Sequence, residues 1–282
     1  MFRRLFHIIL VWYAVWFLVG LVVVAIPYES PVGHWEDLLF MLLAAAVIFM
    51  DAVRRIGWGA AGAIFLWIAI LSGVVEMLGA MTTYPFGHYS YTGLFGPTIG
   101  GVLPWAIPLA WWVVLYPLLL FFSVLSRERM LSSGFVAFSV AFMATAIDLA
   151  LEPVATIVRG YWIWWGGNGD YYYDVPLQNF LGWFVTAFLI IWPVQHYLGR
   201  FLTEGYLSPG AMFLPLAALL SVLASFLVAG LVHGLWLASA WTAFLSLMFA
   251  LVIFRYAWPR RDVFMLKHEG RYRSGFRPRR VR

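Results

Sequence analysis

The sequence contains no cysteine, which excludes disulfide bonds, thiolate nucleophiles and cysteine-ligated zinc or iron–sulfur centres. Charge is also scarce, since only 11% of the 282 residues are Asp, Glu, Lys or Arg. Hydrophobic residues make up 63% of the chain, which is far more apolar surface than a soluble domain of this size needs to bury. We therefore interpret the chain as an integral membrane protein.

Long apolar runs divide the chain into eight predicted transmembrane helices, because one bilayer crossing takes about 20 apolar residues. The first run is too long for a signal peptide and lacks a small-residue cleavage site, so we interpret it as a retained span. The predicted helices cover roughly residues 5 to 27, 36 to 53, 57 to 80, 103 to 125, 131 to 158, 177 to 199, 209 to 230 and 233 to 255. The sequence thus predicts an all-α fold, a polytopic membrane helix bundle over residues 1–258 with a basic cytoplasmic tail over residues 259–282.

The basic residues predict the orientation of this bundle, because cytoplasmic connections collect Lys and Arg. With the N-terminus inside, every one of the 18 basic residues except Arg159 falls on the inner side. The sequence therefore predicts an N-in, C-in topology.

The basic tail is interpreted as a segment that rests on anionic lipid, with a nucleic-acid-binding arm as the less favoured alternative. Few acidic surface residues argue against a salt-adapted halophile, so we expect a bacterial source and the plasma membrane.

Three acids lie within predicted spans, Glu76, Asp148 and Glu152. An ionised carboxylate at the bilayer centre costs at least about 2.5 to 3.5 kcal/mol, so such residues usually face the bundle interior and serve a purpose. In the stretch "IDLALEP", Asp148 and Glu152 are four residues apart and share a helical face. Glu76 is expected at a similar depth, in the outer half of the bundle. A low dielectric and nearby like charges both disfavour ionisation, so we expect at least one acid to be a neutral proton donor.

Two further interpretations of these acids follow from their surroundings. Pro153 is predicted to distort the helix beside them, because its nitrogen has no hydrogen to donate. The alternative to a chemical role is that the acids only bond neighbouring helices and stabilise packing.

The two long outer connections, residues 81–102 and 159–176, are rich in glycine and aromatic residues. Seven of the eighteen residues in the second connection are Trp or Tyr, a density that is difficult to explain by an interfacial belt alone. A cavity lined with such rings would hold a polyene and could stabilise a passing carbocation. We therefore expect the functional site on the outer side.

Three histidines, His34, His88 and His233, also fall on the outer side and leave a metal site open as an alternative. No two of them have the spacing of ligands on one helix, so we predict no metal. His88 is better explained as a partner for one of the carboxylates.

Several of these segments resemble the CruF-type carotenoid hydratases, the membrane family that includes bisanhydrobacterioruberin hydratase and the γ-carotene 1'-hydroxylases. The resemblance is carried by Glu76 with "YPFGHYSYTGLFGP" (84–97), "DLALEP" (148–153), "YWIW" (161–164) and "YYYDVPLQNFLGW" (171–183). It implies a cofactor-independent hydro-lyase that adds water across a terminal isolated C=C of an acyclic C40 or C50 carotenoid and gives a tertiary alcohol. It also implies a carotenoid substrate within membrane lipid and association with other carotenoid biosynthesis enzymes.

The reaction that the resemblance implies needs a proton donor and a positioned water. We expect Asp148 to be the proton donor because it is the deepest of the three acids, with Glu152 and Glu76 holding its protonation state and orienting the water. The implied substrate-binding residues are Tyr84, His88, Tyr89, Trp162, Trp164, Asn179 and Trp183. A proton-coupled transporter and a non-catalytic carotenoid- or lipid-binding protein stay open as alternatives; a transporter requires polar residues along the whole membrane path.

Overall fold

The computed structural model describes residues 1–26, 35–129, 131–166, 172–202 and 209–257, so the predicted basic tail lies outside the described residues. Within those ranges, seven helices are long and apolar enough to cross a membrane, which confirms the predicted all-α membrane bundle. The helices are α1 (Phe2–Ala25), α2 (Trp35–Thr82), α3 (Ala106–Arg129), α4 (Ser133–Pro153), α5 (Leu177–Leu202), α6 (Phe213–Val232) and α7 (Trp236–Ala257). Outside α2, the observed and predicted bounds differ by about one helical turn or less.

Helix α2 is longer than one crossing requires. A straight helix of its 48 residues would measure about 72 Å, more than twice the roughly 30 Å of a bilayer core. The helix is interrupted at Gly57, whose φ of 78° and ψ of 167° are not helical. Both predicted spans, 36 to 53 and 57 to 80, fall within α2, and the count of eight crossings stays a prediction.

Helix α3 lies at the centre of the bundle and is the most buried of the helices. It packs against α2, α4 and α6, and its side chains Trp111, Trp112 and Tyr116 are fully buried. Helix α1 lies at the edge against α2 and α6 and exposes most of its apolar side chains, as expected for a helix in contact with lipid.

Helix α4 changes its geometry at the position where the acids lie. It begins at Ser132, whose hydroxyl accepts a hydrogen bond from the Phe135 amide. Immediately after Pro153 the chain continues as one π-helical turn, Val154–Val158, closed by a bond from the Arg159 amide to the Val154 carbonyl. Proline removes one helical donor, and π-turns often occur at functional sites. The distortion predicted at Pro153 therefore takes the form of a π-turn that begins two residues after Glu152.

Four short strands, which the all-α interpretation did not include, lie in the two long connections. They are β1 (Tyr89–Tyr91), β2 (Thr98–Ile99), β3 (Leu103–Pro104) and β4 (Trp162–Trp164). Strands β2 and β3 pair within the first connection, whereas β1 pairs antiparallel with β4 of the second. The two connections that follow α2 and α4 are thus joined above the acids of both helices.

Phe86 anchors the segment that leads into β1. Its ring is 1% exposed and lies between Gly79 of α2 and Gly182 of α5. A Cβ at Gly79 would lie 2.7 Å from this ring, and a Cβ at Gly182 would lie 2.7 Å from the ring and 2.9 Å from the Pro85 carbonyl oxygen. The two glycines therefore allow Phe86 to enter between the helices and bring β1 over the acids.

Replacing Gly182 with alanine is expected to destabilise the protein. The added methyl group would overlap a backbone oxygen, which cannot move unless the turn moves, and overpacking of this kind typically costs about 1–3 kcal/mol. The measurement is the thermal unfolding midpoint of the purified protein in detergent. Gly62→Ala is the matched control, because a Cβ at Gly62 meets no atom within 4 Å. Equal midpoints for the two variants would contradict the expectation.

Candidate active site

Three buried acids from two helices line one cavity. Glu76 lies in the last turns of α2, while Asp148 and Glu152 lie one turn apart at the end of α4. Their side chains are only 6%, 3% and 2% exposed, respectively. All three line a cavity of about 80 Å³. The structure thus brings together the three acids that the sequence analysis singled out.

Glu76 is held by three hydrogen-bond donors from outside its own helix. The Trp111 indole nitrogen donates to Oε1 at 2.8 Å. The hydroxyl groups of Tyr89 and Tyr91 donate to Oε2 at 2.8 and 2.7 Å. All three groups donate, so these bonds stabilise the carboxylate form of Glu76 and offset part of the cost of burying its charge.

Glu152 also accepts three hydrogen bonds, and its Oε2 lies against two indole rings. The indole nitrogens of Trp162 and Trp164 donate to that oxygen at 3.2 and 3.1 Å. The amide nitrogen of Asn179 donates to Oε1 at 3.2 Å. Glu152 therefore has the same kind of environment as Glu76.

Asp148 differs from both glutamates. The amide nitrogen of Asn179 donates to its Oδ2 at 2.8 Å, and it is the sole donor to Asp148 among the described residues. The same nitrogen bonds Glu152, so Asn179 bridges the two acids of α4. No described residue therefore donates to the second oxygen of Asp148 and competes there with a proton.

The sheet formed by β1 and β4 supplies four of the aromatic groups. In its register Tyr89 is opposite Trp164, Ser90 is opposite Ile163, and Tyr91 is opposite Trp162. Side chains alternate along a strand and directly opposed residues share a face. The two tyrosines and two tryptophans therefore project from one face toward Glu76 and Glu152, and the sheet covers the acids.

Both tyrosines of β1 remain neutral donors. Burial raises the pKa of Tyr91 well above the usual value of a phenol, and the neighbouring charge of Glu76 raises it further. The same causes, burial first, raise the pKa of Tyr89. Because both phenols keep their protons at physiological pH, they stabilise Glu76 and do not act as bases.

The remaining walls of the cavity are mainly aromatic and aliphatic. Trp183 of α5 stacks on Trp111 of α3, with ring centroids 3.9 Å apart and an angle of 11° between the planes. Both rings line the cavity together with Trp162 and Trp164. Ring faces attract cations, so these walls suit a substrate that becomes positively charged during reaction.

Two of the predicted substrate-binding residues, Tyr84 and His88, do not line this cavity. Tyr84 is 72% exposed in the turn before Pro85, where Phe86 enters the core instead.

His88 is exposed and lies beside Trp165, on the opposite face of the sheet from Tyr89. Strand alternation explains this result, because a face that turns Tyr89 and Tyr91 inward turns His88 outward. The other predicted residues, Tyr89, Trp162, Trp164, Asn179 and Trp183, do line the cavity.

The histidines considered for a metal site are not brought together in the described part of the chain. His34 lies outside the described residues, while His88 and His233 are both exposed. No three His, Asp or Glu side chains within the described ranges are grouped as metal ligands.

Sequence reasoning missed two residues that hold Glu76. Tyr91 was signalled by the alternation in "HYSY", which places it on the same strand face as Tyr89. Trp111 had no comparable signal, because it is one of several tryptophans within apolar runs. Its role depends on how α3 packs against α2.

The fold and the site together define the class of protein. It is a polytopic membrane protein whose apolar helices enclose three carboxyl groups, and an aromatic sheet covers these groups. Residues 36–252 match the family model described as "Carotenoid biosynthesis protein", and the chain belongs to that family. Its role is therefore in carotenoid biosynthesis.

The chain is also similar to a bisanhydrobacterioruberin hydratase from Haloarcula japonica, with 27% identity over 127 residues. The match covers 45% of this chain and 42% of that relative. No solved structure matches the chain.

Proposed function

We propose that the protein is a carotenoid hydratase that adds water across a terminal isolated C=C of an acyclic C40 or C50 carotenoid. The observation that carries the proposal is the unequal hydrogen bonding of the three acids. From the residues that the structure describes, Glu76 and Glu152 each accept three hydrogen bonds to the side chain, from the sheet, α3 or α5, whereas Asp148 accepts one. Family membership and the similarity to a named hydratase support a reaction of this class.

The hydrogen bonds distinguish one acid that can carry a proton, Asp148, from two that are stabilised as carboxylates, Glu76 and Glu152. Donated hydrogen bonds stabilise a carboxylate, and two neighbouring carboxylates disfavour a third negative charge between them. Asp148 is therefore the acid best placed to carry a proton. A neutral carboxyl group in a dry, apolar cavity is the kind of acid that protonation of an unactivated alkene requires.

The proposed reaction balances without a redox step. Asp148 transfers its proton to the less substituted carbon of the terminal C=C, and the π electrons form that C–H bond. The resulting tertiary cation is attacked by water, whose oxygen forms the C–O bond. The proton that the water loses passes to Glu152, and its return to Asp148 beside the bridging Asn179 restores the starting state. The product is a tertiary alcohol.

The cation is stabilised by charge and by ring faces. Glu76 and Glu152 supply negative charge on the same cavity that Trp111 and Trp183 line. Because the acids are almost completely buried, bulk water is excluded and one positioned water is the available nucleophile. We assign that water to the acid cavity, whose volume exceeds the minimum that one water needs.

The rival transporter hypothesis receives less support from the described residues. Transport requires polar groups along the whole membrane path. The acid near the opposite end of α2, Asp51, is buried and forms an ion pair with Arg55 at 2.6 Å, and it does not line the acid cavity. This arrangement favours a polar pocket that is confined to one end of the bundle. The plasma membrane, the bacterial source and association with other carotenoid enzymes stay predictions.

Expression of the protein in a bacterium that makes lycopene or an acyclic C50 carotenoid tests the proposal. We expect pigments heavier by one or two waters, measured by chromatography and mass spectrometry, that are absent without the gene. Unchanged pigments with every substrate, from protein shown to be folded in the membrane, would contradict the proposal and favour transport or binding.

A further inference from the structure

A second cavity adjoins the acid cavity. It has a volume of about 260 Å³ and lies between α1, α2 and α6. Five residues line both cavities and form the boundary between them, which we call the collar: Met41, Phe95, Tyr161, Val222 and Phe226. The two cavities therefore adjoin each other at the collar.

The acid cavity is too small to hold a whole carotenoid. Its volume of about 80 Å³ is well below the roughly 300 Å³ at which pockets for drug-sized ligands begin. An end group fits there, but the long conjugated chain attached to it must extend through an adjoining space. The second cavity meets the acid cavity at the collar, and the two together reach the volume of an ordinary ligand site.

The collar is held in place by aromatic stacking and by a polar cluster. Phe95 and Tyr161 stack with ring centroids 4.0 Å apart and an angle of 11° between their planes. The Tyr161 hydroxyl donates to Asp37 at 2.7 Å, and Asp37 in turn pairs with Arg159 at 3.4 Å. Because these contacts hold the two stacked rings in place, their flat faces suit a flat polyene that lies against them.

The walls beyond the collar suit a hydrocarbon chain better than an anionic lipid. Helix α1 contributes apolar side chains, including Trp16, Phe17 and Val23. Two acids, Glu36 and Asp37, and one cation, Arg159, also line the cavity, so its charged groups carry a net negative charge that disfavours an anionic head group.

We propose that the second cavity binds the conjugated chain of the same carotenoid molecule whose end group reacts in the acid cavity. This inference rests on the proposed function for the identity of the substrate. The collar then separates the reacting end group from the rest of the chain and sets how far the substrate enters.

Replacing Gly20 with phenylalanine tests this inference. Gly20 lines the second cavity, and a Cβ there meets no atom within 4 Å, so the new ring would occupy the cavity without displacing the helix. Loss of a helical glycine also favours folding. Gly62→Phe is the matched control, because Gly62 is a helical glycine with equal free space that lines none of the cavities described here.

Two measurements are made on the wild type and both variants. The first is hydration of a full-length acyclic carotenoid and of a short acyclic isoprenoid with the same terminal C=C. The second is the amount of carotenoid that the purified protein retains, measured by absorbance.

We expect Gly20→Phe to lower conversion and retention of the full-length carotenoid by roughly tenfold or more, which corresponds to about 1.4 kcal/mol. Conversion of the short substrate is expected to stay within about twofold of the wild-type value, and Gly62→Phe to resemble the wild type in every assay.

The outcomes separate the two proposals. Wild-type conversion and retention of the full-length carotenoid by Gly20→Phe would overturn the second-cavity assignment, as would equal loss on both substrates. If the wild type hydrates nothing, the hydratase proposal fails. Selective loss of retained carotenoid in Gly20→Phe would still support the second cavity as the binding site for the chain.

Discussion

Asp148→Asn is expected to abolish hydration while leaving the protein folded and able to retain carotenoid. The amide has no proton acidic enough to transfer to an alkene, so we expect the rate to fall by at least about 10²–10⁴-fold. The amide oxygen can still accept the bond from Asn179, because this is the sole donor to Asp148 among the described residues. The measurement is the ratio of hydrated to unhydrated pigment at equal amounts of membrane protein.

Asp174→Asn is the matched control for this variant. It makes the same chemical change at an exposed position that does not line the acid cavity, and asparagine tolerates the positive φ of 63° found there. The control is expected to convert pigment at the wild-type rate. Wild-type conversion by Asp148→Asn would show that another group protonates the alkene.

Glu152→Gln is expected to lose both activity and stability. The side-chain amide has one accepting oxygen, whereas the carboxylate accepts from two indole groups at Oε2 and from Asn179 at Oε1. Whichever way the amide is oriented, its NH₂ group faces at least one buried N–H. An unsatisfied buried donor costs about 1–3 kcal/mol, and the proposed acceptor of the proton from water is lost as well.

The contrast between the two amide variants is the sharpest test of the hydrogen-bond pattern. Thermal unfolding midpoints in detergent should be close to wild type for Asp148→Asn and lower for Glu152→Gln, with hydration lost in both. Equal midpoints would argue that the indole donors do not bond Glu152. Retained hydration in Glu152→Gln would remove this acid from the mechanism.

Part of the site could be predicted from the sequence for a local reason. Carboxylates are rare in apolar runs of membrane length, so Glu76, Asp148 and Glu152 were conspicuous without any knowledge of packing. The spacing of Asp148 and Glu152 placed them on one helical face. Whether Glu76 of a distant helix lay beside them depended on how α2 packs in the bundle.

Which group bonds to which acid could not be predicted, because these bonds depend on contacts between distant segments. Tyr91 and Trp162 become directly opposed only through the pairing of β1 with β4. The same pairing turns His88 outward, which is why this predicted substrate-binding residue does not line the cavity. A one-residue change of register would have reversed that outcome.

The sequence by itself determined a membrane helix bundle with three acids in its apolar spans, because the length of each apolar run and the cost of charge in lipid act on local composition. The tertiary structure alone decided which acid accepts the fewest hydrogen bonds from the described residues, which aromatic rings cover the cavity, and where a second cavity adjoins it. Those features arise from strand register and helix packing, and these join residues that are far apart in the chain.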